Sequence, residues 1–138
     1  MSEYTSFEEQ LNAGKTVTSF TVGDSMEPLL YDRSTHVFLR KAEGDLRRND
    51  IPLYRRPTGE YVLHRIIRVG KDCYYIRGDN RYGLERVPMD WILGVVTQIF
   101  RKGKYISVTS FGYRMYVFCL HLTYPFRWFC RRVRLKLK

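Results

Sequence analysis

Acidic residues are missing from the last part of this 138-residue chain. Residues 101–138 hold ten Lys/Arg and no Asp or Glu, while residues 1–100 hold 14 of each sign. The whole net charge of +10 therefore sits in the tail, which suits anionic lipid, nucleic acid or an acidic protein as partner. Cysteine is scarce: Cys73, Cys119 and Cys130 are an odd number, widely spaced, with no CxxC pair. That excludes a disulfide framework and a zinc knuckle and suits a reducing compartment, with the three acting as small apolar side chains. No His/Cys/Asp cluster has metal-ligand spacing, so neither a metal nor a cofactor is expected. The polar, acidic start MSEYTSFEEQLNAGK lacks the basic and apolar stretches of a secretory signal, and a cytoplasmic location is expected.

Long apolar runs are lacking too. The longest stretch without Lys, Arg, Asp or Glu in the tail, Met115–Phe126, would span about 18 Å as a helix, short of a hydrocarbon core of about 30 Å. Pro125 is expected to interrupt it. Two readings fit residues 113–138: an amphipathic helix lying peripherally on an anionic membrane, or a terminal helix that docks its aromatics on the domain.

What is present is a β-rich pattern. At 44% hydrophobic and 15% aromatic residues, one domain with a real core is expected. Ser6-Phe7-Glu8-Glu9 is a capping-box pattern for a helix over 7–13, closed by Gly14. Strands are expected over Thr16–Val22, His36–Lys41, Asp50–Arg56, Tyr61–Val69, Cys73–Arg77, Trp91–Phe100 and Tyr105–Val108. Turns are expected at Glu43-Gly44-Asp45, Pro57-Thr58-Gly59, Gly70-Lys71-Asp72, Gly78-Asp79-Asn80 and Lys102-Gly103. Period-2 alternation puts Val62, His64, Ile66 and Arg68 on one face. The expected organisation is an N-terminal helical lead-in (1–14), a mostly-β domain of about seven strands (15–108) and a basic aromatic helix (109–138).

Within that frame one set of residues suits nucleophilic chemistry. A serine hydroxyl needs a neighbouring base, a histidine base needs an orienting partner, and the oxyanion needs donors. Ser25 lies where a strand gives way to a turn, because Pro28 forbids a regular ladder just after it. His64 lies on a half-buried strand, and Asp79 and Glu85 follow in the next loop. Residue by residue, each has a plain structural explanation. His36 and His121 are expected to be structural or solvated.

The combination resembles type I signal peptidases. Gly23-Asp24-Ser25-Met26-Glu27-Pro28-Leu29-Leu30 is similar to the serine box of that family. Arg48-Asn49-Asp50-Ile51-Pro52-Leu53-Tyr54 resembles its Gly-Asp strand, with Asn49 in place of the glycine. Val62-Leu63-His64-Arg65-Ile66-Ile67 matches the box that holds the base, and Ile76-Arg77-Gly78-Asp79-Asn80 resembles the Gly-Asp-Asn box. Four boxes in the family's order cover roughly residues 18–100. Histidine at position 64 points to the archaeal and endoplasmic-reticulum branch instead of the lysine-dyad enzymes.

The resemblance implies a LexA-like, β-rich catalytic core and a serine endopeptidase that cleaves leader or signal-like peptides. It implies Ser25 as nucleophile, His64 as base, and Asp79 or Glu85 as the third member. Gly23, Asp24, Met26 and Pro28 form the expected substrate and oxyanion region. Gly23 stands where many relatives have an oxyanion-binding serine, which leaves the hole to backbone N–H groups such as that of Ser25. The usual membrane anchor of that family has no counterpart in the sequence. Two other classes are weighed: a non-catalytic peptide-binding or regulatory descendant, and a nucleic-acid arm formed by the basic tail. A nucleic-acid partner is the least expected, and a peptide or preprotein substrate the most.

Overall fold

The computed structural model describes residues 7–14, 16–20, 24–31 and 34–137. Gly23 and the expected capping residue Ser6 lie outside the described residues. The chain is mostly β, with helix α1 (Phe7–Asn12) at one end and α2 (Phe111–Lys136) at the other. Between them run β1 (Val17–Phe20), β2 (His36–Lys41), β3 (Pro52–Arg55), β4 (Tyr61–Leu63), β5 (Arg65–Val69), β6 (Cys73–Arg77), β7 (Glu85–Pro88), β8 (Ile92–Arg101) and β9 (Lys104–Ser107).

Two antiparallel sheets result. One has the order β1-β2-β8-β3-β4, with β9 also paired to β8; the other is β5-β6-β7. The long strand β8 organises the first sheet, pairing β2 along one edge and β3 and then β9 along the other. Apolar side chains face both ways from this sheet, as the period of two requires. Leu53 and Val96 belong to a core that also takes in Leu11, Met26, Tyr113 and Val117. Their neighbours Tyr54 and Val95 belong to a second core, with Ile66, Tyr74, Ile76 and Val87, against the smaller sheet. Burial on both faces explains why β3 reads as a continuous apolar run.

Three expectations are corrected. First, the single strand expected over 61–69 is two: β4 lies in the larger sheet and β5 in the smaller, with His64 at the crossing. The common face of Val62, His64, Ile66 and Arg68 does not form, because the crossing and a register shift between Ile66 and Arg68 break the alternation. Arg68 is exposed, and Arg65 is fully buried instead. Second, Glu85 does not lie in a loop. It opens β7, whose pairing with β6 is a long-range contact that the polar segment ERVP does not advertise. Together with the split of 61–69, this raises the described strands to nine.

Third, α2 runs through Pro125 without ending. Proline removes a backbone donor and crowds the preceding turn, and side chains of α2 bond the carbonyls of the adjoining turn. Thr123 Oγ1 donates to the Cys119 carbonyl at 2.8 Å, and Arg127 Nη2 to the Leu120 carbonyl at 2.8 Å. Ser110 caps the helix by accepting from the Tyr113 N–H. The 26 residues of α2 extend over roughly 39 Å, yet no helix is long and apolar enough to cross a membrane, among the described residues.

Candidate active site

Ser25 stands in the turn after β1, between exposed Asp24 and buried Met26. Burial of Met26, Leu29 and Leu30 in the first core fixes this segment from below, and Arg101 Nη1 fixes it from the side by donating to the Pro28 and Leu29 carbonyls. Exposed Pro28 contributes that carbonyl and the cis Glu27–Pro28 bond. From above, the Gly78-Asp79-Asn80 turn closes on the serine. The Asn80 N–H donates to the Ser25 carbonyl at 2.8 Å and Asn80 Nδ2 to the Asp24 carbonyl at 3.0 Å. Arg81 Nη2 meets Asp24 Oδ1 at 2.7 Å, which holds the Asp24 carboxyl below its ordinary range.

His64, at the crossing from β4 to β5, places Nε2 2.9 Å from Ser25 Oγ. Among the described residues, Ser25 is its hydrogen-bond partner and neither Asp79 nor Glu85 bonds to the ring. Burial, followed by the nearby Arg56 charge, pushes the His64 pKa down to about 4, against the opposing pull of Glu85. The imidazole is thus neutral near pH 7, the form that can accept a proton. The N–H of Ser25 donates to none of the described residues.

The two carboxylates do different things. Asp79 is buried and forms a two-pronged pair with Arg65, Nε to Oδ1 at 2.7 Å and Nη2 to Oδ2 at 3.0 Å. Tyr116 of α2 donates to the same Oδ2 at 2.8 Å. The Asp79 N–H meets Met26 Sδ at 3.3 Å, which ties this pair to the floor of the serine turn. Glu85, half-buried, accepts from Tyr54 Oη at 2.8 Å and from both Nε and Nη2 of Arg56 at 3.0 and 2.8 Å. These donors hold its carboxyl below the ordinary range. Glu85 and His64 both border an open cleft of ≈ 730 Å³, together with Arg56, Arg77, Gly78 and Arg81. Trp128 and Arg131 of α2 also line it.

Several residues that organise the site were not singled out as functional from sequence. Arg65, the residue after His64, is the centre of the buried network: its Nη1 also donates to the Asn49 carbonyl at 2.8 Å and to Tyr113 Oη at 2.7 Å. An arginine followed by Ile66-Ile67 inside a strand pattern was the available signal. Asn49 has φ of 79°, a left-handed conformation that asparagine tolerates better than most side chains. Its Oδ1 lies 2.6 Å from His121 Nε2, which gives His121 a structural role. His36 packs edge-on against Phe100. Cys73 is buried, Cys119 exposed and Cys130 half-buried, all free thiols. No group of three His, Cys, Asp or Glu side chains gathers as metal ligands, among the described residues.

In comparisons with known proteins, no family model and no curated protein matches this chain.

Proposed function

We propose that the chain is a serine endopeptidase of the signal-peptidase type, acting on leader or signal-like peptides. The observation that carries this reading is the 2.9 Å contact between His64 Nε2 and Ser25 Oγ, made by two residues 39 apart that the sequence boxes had already paired. Neutral His64 takes the proton as Ser25 Oγ attacks the scissile carbonyl carbon. The backbone N–H of Ser25, which donates to none of the described residues, serves as a donor to the developing oxyanion. Collapse of the tetrahedral intermediate breaks the C–N bond, and His64 returns the proton to the leaving amine. Water, deprotonated by His64, then releases the acyl group as a carboxylate. Glu85 acts on His64 through its charge across the cleft, and Asp79 holds the loop that holds the serine. Cleavage of leader-bearing peptides by the wild type, with loss in Ser25→Ala and His64→Ala, tests the reading; equal activity in all three contradicts it. A peptide-binding descendant without catalysis would bind those peptides and cut none.

A second observation favours action at a membrane surface. α2 docks through Tyr113, Val117 and Leu120, which are buried. On the opposite side, Phe111, Met115, Phe118, Leu122, Phe126, Phe129 and Val133 recur every three or four residues, and all are exposed. Such a stripe on a helix with cationic flanks and no acid fits the interface of an anionic bilayer. Pairing with a second copy would set Arg114, Arg132 and Lys136 against their own kind, with no acid on the helix to meet them.

A further inference from the structure

The cleft beside His64 carries more positive charge than the protein neutralises. Four guanidinium groups and one carboxylate border it. Arg56 is committed to Glu85 and Glu60, and Arg81 to Asp24. Arg77 and Arg131 meet no carboxylate, among the described residues. Arg77 is only 9% exposed, and burying a charge without a counter-ion is costly.

Both are held by aromatic rings instead. The Arg77 guanidinium lies 3.7 Å from the centre of the Tyr124 ring, and that of Arg131 5.0 Å from the centre of Tyr82. Tyr82 and Tyr124 are themselves stacked, and Tyr124 Oη donates to the Tyr82 carbonyl. Stacking orients a guanidinium, and N–H groups not taken by Tyr124 are left for a planar anion. Behind them Arg127 adds a third cation, whose donors go to the Asp79 and Leu120 carbonyls and to Thr123. Burial and the charge of Arg127 both press the Arg77 pKa downward, and a bound anion relieves that pressure.

We infer that this cleft is a subsite for a carboxylate of the peptide substrate, with Arg77 and Arg131 as its partners. The subsite lies beside the bond to be cut, because His64 and Gly78 border the same cleft as Arg77 and Arg131. Half of it comes from α2, so substrate recognition depends on the C-terminal helix as well as on the β core. The position of the carboxylate relative to the cut rests on the peptidase reading above; its binding does not.

The test uses full-length Ser25→Ala protein and fluorescein-labelled Ala/Gly peptides that carry one Glu, or one Gln at the same place, with amidated or free C-termini. Anisotropy is expected to show the Glu peptide binding about tenfold more tightly than its Gln twin, with added salt narrowing the gap. If the free terminus alone confers the gain, the carboxylate is the terminal one, and the subsite stands. Arg131→Glu, an exposed change, is expected to abolish the preference and to favour a Lys peptide. Arg77→Met is expected to weaken Glu-peptide binding further, with circular dichroism checking its fold. Equal binding of Glu and Gln peptides at both termini, or a preference untouched by Arg131→Glu, overturns the inference. Acidic-peptide binding by a chain whose wild type cuts nothing would contradict the peptidase reading alone.

Discussion

Gly78 approaches the Ser25 backbone so closely that a Cβ at position 78 would lie 2.6 Å from the Ser25 carbonyl oxygen. The same Cβ would lie 3.2 Å from His64 Cδ2. The glycine of the Gly-Asp-Asn turn therefore packs against both Ser25 and His64 and limits how they approach. Asn80, two residues on, donates its N–H to the same carbonyl. Because the obstructing atom is backbone, rotation of a side chain cannot relieve the contact.

Gly78→Ala is accordingly expected to lower kcat/KM about 100-fold, since displacement of a reacting group by about 1 Å has that order of effect. The measurement is peptide cleavage alongside thermal unfolding. Activity within a factor of two or so of wild type would remove the spacer role.

Asp79 and Glu85 should separate cleanly. The Arg65 and Asp79 side chains are 0% and 1% exposed, and removing one partner of such a pair leaves an uncompensated charge. Asp79→Asn is expected to cost about 3–5 kcal/mol in urea unfolding. Glu85→Gln, at a half-buried pair, is expected to cost about 1 kcal/mol or less while changing the pH response of the site. Equal destabilisation by the two changes would contradict the division of roles.

The pH response follows from His64. With its pKa pushed down to about 4, the neutral base is present above that value, so kcat/KM should be flat near neutrality and fall as pH drops through about 4. Arg56→Gln removes a cation and should move this acid limb upward, toward the ordinary 6.5. Glu85→Gln removes an anion and should move it down. Stability responds in the same sense. Between about pH 4 and 6.5 the unfolded chain binds the extra proton, so stability rises with pH across that window. A limb near 6.5 in the wild type would contradict the environment described for His64.

The outward stripe of α2 makes a prediction about lipid. Wild-type chain should float with vesicles containing anionic phosphatidylserine and much less with neutral phosphatidylcholine ones. Phe118→Glu with Leu122→Glu should abolish flotation without lowering the melting temperature, because both side chains are exposed. Loss of a dimer in sedimentation, with no lipid dependence, would show that the stripe serves a second copy instead.

Much of this arrangement is legible in the residues, and what is not has a physical cause. β2 occupies His36–Lys41 and β6 Cys73–Arg77, where local alternation and Gly-rich turns set the limits. The approach of Ser25 to His64 is not a local property; the order of the four boxes anticipates it. Alternation misplaces Arg65 because it assumes one sheet, and the chain changes sheets at His64. The partners of Arg65 and Asp79 on α2, Tyr113 and Tyr116, lie 48 and 37 residues away and leave no mark in any short window. The same is true of the cleft's cations, of which Arg131 joins Arg77 only when α2 docks. Proline at 125 predicts a helix break by its local cost, yet α2 continues through it.

The central claim is that Ser25 is a nucleophile activated by His64, and a fluorophosphonate probe tests it most directly. Mass spectrometry of the wild type at neutral pH should find the label on Ser25, with the rate reduced about 100-fold or more in His64→Ala and no label on that peptide in Ser25→Ala. Labelling of Ser25 at the same rate with and without His64, or no labelling of Ser25 at all, would contradict it.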